Sequence, residues 1–183
     1  MGLVYLVQHA EKKAGPGDPG LTDAGREQAR NAARWLRTRG ANRLYTSPLR
    51  RARETAEVIA SELGLVLALD PRLRERVNWD GTTALKTFLD DWRRSVMDRD
   101  FSPPCGDSSR KAGERMRAFL EEVSLQHNAV VAVTHGGVTT DLIRTLLGDD
   151  QIPARLLDDG IPPCAVTTLT DMQVTEIASV EFS

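Results

Sequence analysis

Two short apolar runs decide the fold, and each of them ends in a histidine. The first is Leu3-Val4-Tyr5-Leu6-Val7, followed by Gln8-His9, and the second is Ala129-Val130-Val131-Ala132-Val133-Thr134, followed by His135-Gly136-Gly137. Continuous apolar runs of this length are typical of strands that are buried on both faces of a parallel sheet. Because the carboxyl ends of parallel strands meet at one edge of the sheet, we expect His9 and His135 to border the same crevice.

Helical patterns alternate with these runs. Alanine and leucine recur at helical spacing over residues 22–39, where Thr22 or Asp23 can cap the start. A second helix is predicted with Ser47 as its N-cap and Pro48 at its first position, where proline is well tolerated. A helix over 109–125 is also predicted, and the tail from about 165 to 182 is β-like with a turn at 170–172. Another is predicted over 82–97, with these side chains inward: Leu85, Phe88, Leu89, Trp92 and Val96.

The alternation of strands and helices indicates the fold class. Short connections between them predict an α/β fold with three layers, α/β/α, around a mainly parallel central sheet. The length of 183 residues fits one domain, and we expect residues 1–183 to form it.

Composition and charge exclude several function classes. The chain has 24 basic and 26 acidic residues, so its net charge of −2 argues against a general nucleic-acid binder. Its two cysteines, Cys105 and Cys164, are too few for a disulfide scaffold and lie in no metal-binding pattern. The apolar run before Gln8 is too short for a secretion signal or a membrane span. We therefore expect a cytoplasmic protein with no membrane partner.

Three segments carry candidate chemistry. His9 and His135 occupy matching places after the two most apolar strands, and this repetition favours a catalytic role, whereas His127 is expected at the surface. The third segment lies where a predicted strand ends and a helix begins with Arg50 and Arg51 in its first turn. Free N–H groups and the partial positive charge of a helix N-terminus favour an anion such as phosphate there.

Five motifs, taken in order, resemble the histidine phosphatase superfamily, the phosphoglycerate-mutase-like proteins. They cover nearly the whole chain, and their order and spacing make the resemblance specific. The motifs are Gln8-His9-Ala10, Leu21-Thr22-Asp23-Ala24-Gly25-Arg26-Glu27-Gln28-Ala29, the segment from Ser47 to Ala56, Leu73-Arg74-Glu75 and Thr134-His135-Gly136-Gly137.

The resemblance implies a phosphomonoesterase that acts on a small phosphorylated substrate without metal or cofactor. His9 would accept the phosphoryl group, Arg51 and His135 would hold its oxygens, and Glu75 would protonate the leaving oxygen. These residue types fit the chemistry, because a neutral imidazole is a good nucleophile and a guanidinium can grip two phosphate oxygens at once. Further expected substrate contacts are Gln8, Lys12 and Gly136.

Two departures from the family pattern open alternatives. Gln8 stands where the family has arginine, which removes a positive charge beside the nucleophile, and Ala10 replaces glycine. Substitutes for the missing cation are Lys12, Lys13, Arg50 and Arg110. If none compensates, the chain is a weakly catalytic member that binds phosphate or phosphoproteins. A mutase of the same fold is the remaining alternative, although the chain is compact between Glu75 and Ser108, and its oligomeric state is left open.

The acid segment also differs, because Leu73 to Gly81 is about two residues shorter than the family pattern. Glu75 is favoured as the proton donor, and Asp80 is the alternative, with helix capping as its structural role. Ser108 or Asp107 is expected to cap the helix that follows, although Ser108 could also touch substrate. Substrate specificity is expected to depend on residues 11–20, 76–82 and 100–110.

Overall fold

The computed structural model describes residues 2–179, which contain six strands in a single sheet. The order across the sheet is β3-β2-β4-β1-β5-β6. The strands are β1 (Leu3–Gln8), β2 (Arg43–Thr46), β3 (Leu67–Leu69), β4 (Ala129–Thr134), β5 (Val166–Thr170) and β6 (Gln173–Ser179). The helices within the same residues are α1 (Asp23–Leu36), α2 (Arg50–Leu63), α3 (Leu85–Met97), α4 (Ser109–Gln126), α5 (Gly136–Leu147) and α6 (Ala154–Asp158).

The sheet is mainly parallel, as the sequence predicts. Strands β3, β2, β4 and β1 run parallel, and β5 and β6 add an antiparallel edge. In the register of β1 and β4, Gln8 lies opposite Thr134. The next residues, His9 and His135, therefore leave adjacent strands at the same edge of the sheet, as expected. Of the two, only His9 lines a cavity there, because His135 is fully buried.

The alternation of side chains along β1 sends residues to two separate cores. Tyr5 and Val7 pack with residues of α1 and α2, such as Leu36 and Ile59, on one face of the sheet. Val4 and Leu6 pack with residues of α4 and α5 on the other face, among them Met116, Phe119 and Leu142. Since successive side chains of a strand point to opposite faces, this arrangement is the predicted three-layer α/β/α architecture.

The predicted start of the second helix is wrong. Helix α2 begins at Arg50 with Leu49 as its N-cap, not with Ser47 and Pro48. The Ser47 hydroxyl is engaged elsewhere, because it lies 2.7 Å from Nε2 of His135 and also accepts the Leu49 N–H at 3.2 Å. The predicted caps of two other helices are confirmed, since the Thr22 side chain accepts the Gly25 N–H and that of Ser108 accepts the Lys111 N–H.

The predicted inward face of the helix over 82–97 is also wrong. Helix α3 begins at Leu85, and only Ser95 among its residues is buried. Leu85 is 48% exposed and Leu89 is 39% exposed. The reason is that α3 does not cover the sheet; its apolar side borders two cavities instead, which leaves Trp92 half-buried.

The tail forms β5 and β6, joined at Asp171 and Met172, both with positive φ, as the predicted turn requires. Residues 180–182 of the predicted β-like tail lie outside the described residues. None of the helices between residues 2 and 179 combines the length and the apolar character that crossing a bilayer needs.

Candidate active site

His9 lies at the carboxyl end of β1, with one ring nitrogen bound to a main-chain carbonyl and the other beside the Gln8 side-chain amide. Its Nδ1 lies 2.8 Å from the carbonyl oxygen of Ala10, which can only accept a hydrogen bond, so Nδ1 carries the proton. Nε2 therefore bears the lone pair. Burial lowers the pKa of His9 to about 4, and this outweighs the raising effect of the Ala10 carbonyl. At neutral pH the ring is uncharged and nucleophilic.

His135 is fully buried next to His9. The two ring centroids are 5.2 Å apart and the rings meet edge to face. Burial, reinforced by the nearby Arg51, lowers the pKa of His135 well below its usual value. Its Nε2 meets the Ser47 hydroxyl, while Nδ1 has no hydrogen-bond partner within residues 2–179. A buried imidazole with an unused nitrogen is equipped to bind one more polar group.

A cavity of about 320 Å³ opens beside His9, and we call it the cationic cavity. Its lining includes His9, Lys12, Arg51, Glu75, Asn78 and Trp92. The Arg51 side chain is 6% exposed, and its Nη1 donates to Asn78 at 3.1 Å and lies 3.8 Å from Asp18. Its Nε has no partner among the described residues. A buried guanidinium with a free N–H is suited to an oxyanion.

Glu75 is held at the start of α5 by main-chain hydrogen bonds. Its carboxylate accepts the N–H groups of Gly137 at 3.2 Å, Val138 at 2.9 Å and Arg76 at 2.7 Å. The last residue of β4 holds the segment that carries Glu75, because the Thr134 hydroxyl donates to the Leu73 carbonyl at 2.8 Å. The carboxylate thus faces the same cavity as His9, near the positive end of a helix.

Asp80, the alternative proton donor, lies at the surface and outside this cavity lining. Its Oδ1 accepts both the N–H and the hydroxyl of Thr82, at 2.8 and 2.7 Å. These hydrogen bonds lower the pKa of Asp80. Its observed contacts are those of a turn, so the structure brings Glu75, and not Asp80, to His9.

Gln8 lies between His9 and the start of α5. Its Nε2 is 3.4 Å from Nε2 of His9, and a Cβ at Gly136 would lie 3.6 Å from the same amide nitrogen. The amide can donate a hydrogen bond to the lone pair on Nε2 of His9, or to an oxyanion bound beside that ring. Its Oε1 is buried without a hydrogen-bond donor in residues 2–179. Position 8 therefore supplies a neutral donor where the sequence resemblance implies a cation.

Of the four substitutes for that cation, only Lys12 lines the cationic cavity. Burial lowers the pKa of Lys12, and Arg51 adds to the effect. Arg50 is bound to Glu54 at 2.6 Å, and Arg110 is bound to Asp100 at 2.6 Å. Lys13 is exposed. The structure therefore brings Lys12 to the nucleophile and holds the two arginines elsewhere.

Sequence reasoning missed two site contacts and misplaced one histidine. Asn78 joins Arg51 to the glycine-rich loop, because its Nδ2 donates to the Gly17 carbonyl at 2.8 Å. Ser47 contacts His135, and the Ser-Pro-Leu motif that contains it was the available signal. His127 is half-buried and not simply at the surface, since its Nε2 lies 3.1 Å from the Tyr45 hydroxyl.

Comparison with known proteins identifies the family of the chain. The histidine phosphatase superfamily (branch 1) matches residues 4–175. "Probable phosphoglycerate mutase GpmB" of Erwinia tasmaniensis is 33% identical over 96% of this chain and 88% of its own length. "Putative phosphoserine phosphatase 2" of Hydrogenobacter thermophilus is 32% identical over 81% and 80%. The solved mycobacterial glucosyl-3-phosphoglycerate phosphatase with inorganic phosphate is 27% identical, with a TM-score of 0.75 over 92% of this chain and 89% of its own. The chain belongs to the histidine phosphatase superfamily.

Proposed function

We propose that the protein hydrolyses a small phosphate monoester through a phosphohistidine on His9. One observation carries the proposal: the proton of His9 is fixed on Nδ1 by the Ala10 carbonyl, and the ring lines a cavity with Arg51 and Glu75. This combination supplies a neutral nucleophile, a cation for the phosphoryl oxygens and a proton donor.

In the first step, Nε2 of His9 attacks phosphorus and the bond from phosphorus to the ester oxygen breaks. Glu75 gives a proton to that oxygen, which leaves as an alcohol. The transferring group spreads negative charge over three oxygens, so fixed donors supply much of the catalysis. We assign this role to Arg51, Lys12 and the Gln8 amide, and a fourth contact to the unpartnered Nδ1 of His135.

In the second step, water attacks the phosphoryl group and the N–P bond breaks. Glu75, now a carboxylate, accepts a proton from the attacking water. Inorganic phosphate then leaves, and His9 returns to its neutral form. The same carboxyl group thus acts first as an acid and then as a base. Its main-chain hydrogen bonds keep it beside the cavity through both steps.

Two other functions of this family are distinguished by what the site releases. A mutase would return a rearranged ester, whereas a hydrolase releases inorganic phosphate. A weakly catalytic phosphate binder, for which Gln8 is the motivating observation, would bind phosphate and release neither. Phosphate release, tested beside 3- to 2-phosphoglycerate interconversion, separates all three.

The decisive experiment traps the intermediate with p-nitrophenyl phosphate. Because a phosphoramidate survives base and hydrolyses in acid, the reaction is quenched in alkaline denaturant and the intact protein mass is measured. We expect one added phosphoryl group on the wild type and on the control His127→Ala, whose histidine contacts Tyr45 away from the site. His9→Ala should lack it and lose at least about 1,000-fold in kcat. Normal turnover by His9→Ala would overturn the proposal.

A further inference from the structure

A second cavity, also of about 320 Å³, adjoins the first, and we call it the acidic cavity. It shares Glu75 and Trp92 with the cationic cavity, so both open on the same carboxylate. Four carboxyl groups line it, against two guanidinium groups. The carboxyl groups belong to Glu75, Asp141, Asp158 and Asp159.

The two guanidinium groups in this lining are already engaged. Arg76 pairs with Asp141 at 2.6 Å and lies over the Trp92 ring, 4.3 Å from its centroid. Arg144 pairs with Asp149 at 2.7 Å. The positive charge in the wall is therefore committed to partners of the protein itself.

The acceptors in the wall are not all engaged. Asp158 and Asp159 are exposed and form no ion pair with any side chain of residues 2–179. Asp141 has a fully buried side chain, and only its Oδ1 has donors, from Arg76 and from Ser109. Oδ2 of Asp141 and Oε1 of Gln8 are both buried, and neither has a hydrogen-bond donor among residues 2–179. Burial raises the pKa of Asp141 to about 7, so its Oδ2 can hold a proton at neutral pH. The unmet need of this cavity is therefore for positive charge at Asp158 and Asp159 and for a hydrogen-bond donor at Oε1 of Gln8.

We infer that the acidic cavity binds the leaving group of the substrate and selects one that carries an ammonium group. This rests on the proposed function, which places the phosphoryl group in the cationic cavity and the ester oxygen beside Glu75. Because Glu75 borders both cavities, the rest of the substrate continues into the acidic one. An ammonium group has three donors and a positive charge, which match the unpaired carboxylates there.

The experiment compares esters that differ only at one end. O-phosphoethanolamine is paired with propyl phosphate, and 3-aminopropyl phosphate with butyl phosphate, so that a methyl group replaces the ammonium in each pair. We expect kcat/KM to favour the ammonium ester by about tenfold in at least one pair, which is the contribution of one charge-assisted hydrogen bond. The double variant Asp158→Asn, Asp159→Asn should reduce the preference in kcat/KM for the ammonium ester to between about onefold and threefold.

The matched control is Asp150→Asn, which removes an exposed carboxylate of the short 3-10 helix Asp149–Gln151, outside this lining. It should leave the ratio unchanged. Equal kcat/KM values within both pairs would overturn the inference. So would a preference that persists in the double aspartate variant.

Binding separates this inference from the proposed function. Isothermal titration of His9→Ala with each ester measures the preference without turnover. Tighter binding of an ammonium ester, with no phosphohistidine trapped on the wild type, would support the acidic cavity and defeat the hydrolase proposal. A phosphohistidine trapped on the wild type, together with equal affinities of His9→Ala for the paired esters, would support the hydrolase proposal and overturn the inference about the acidic cavity.

Discussion

The cationic and acidic cavities have similar volumes and share Glu75 and Trp92, yet they carry opposite charge. In the first, Lys12 and Arg51 exceed one carboxylate, and in the second, carboxyl groups exceed guanidinium groups that are already paired. Gln8 lines the acidic cavity while its amide nitrogen reaches the nucleophile. An arginine there would put positive charge at the boundary, so the neutral amide preserves the contrast between the two sides.

The largest predicted loss of activity comes from adding a side chain at Gly137, beside the two residues that both cavities share. An added Cβ at Gly137 would lie 2.6 Å from Oε1 of Glu75 and 2.5 Å from a ring carbon of Trp92. Gly137→Ala should therefore displace the carboxylate that both cavities share, and we expect kcat for p-nitrophenyl phosphate to fall about 100-fold, as a displacement near 1 Å can produce.

Gly136→Ala is the matched comparison for that loss. A Cβ at Gly136 meets nothing closer than 3.5 Å, which is ordinary contact distance. It should lose far less activity than Gly137→Ala, with both variants showing wild-type circular dichroism. Equal losses at the two positions would mean that the site of Glu75 does not depend on space at Gly137.

The next effect concerns the cation that replaces the missing arginine. If Lys12 neutralises phosphoryl oxygens in the cationic cavity, Lys12→Met should lower kcat/KM about tenfold, the value of one charge-assisted hydrogen bond. Adding Gln8→Arg to that variant should restore most of the loss. The same arginine should also weaken the preference for an ammonium ester, because it brings positive charge to the acidic side.

Steady-state kinetics of the two single variants and the double variant measures this coupling. Lys13→Met, at an exposed neighbour, is the control and should resemble the wild type. If Lys12→Met retains full kcat/KM, Lys12 is not the compensating charge. If Gln8→Arg alone raises the rate, the wild-type site is short of positive charge.

The sequence predicts the fold well because the strongest signals are local. The apolar runs before His9 and His135 specify buried parallel strands, and the rule that such strands end at one edge brings the histidines together. Contacts between distant segments are not encoded in a local pattern of this kind, and a motif shows at most that a residue matters, not which residue it contacts. The Ser47 hydroxyl bonds to His135, 88 residues away, instead of capping a helix. Apolar residues of α3 border cavities instead of a core, which periodicity cannot distinguish.

The smallest predicted effect is that of mild acid on His9. A pKa of about 4, lowered by burial, keeps the ring neutral at about pH 5.5, where an ordinary imidazole is about nine-tenths protonated. Nuclear magnetic resonance of the His9 ring, assigned with His9→Ala, should therefore show little protonation between about pH 7 and 5.5. Since the folded pKa lies below the unfolded value of about 6.5, stability from the neutral ring is present above that pH and is lost as the pH falls towards about 4. A titration midpoint near pH 6.5 would show that the His9 ring is exposed to water. It would contradict the claim that burial keeps the ring neutral in mild acid.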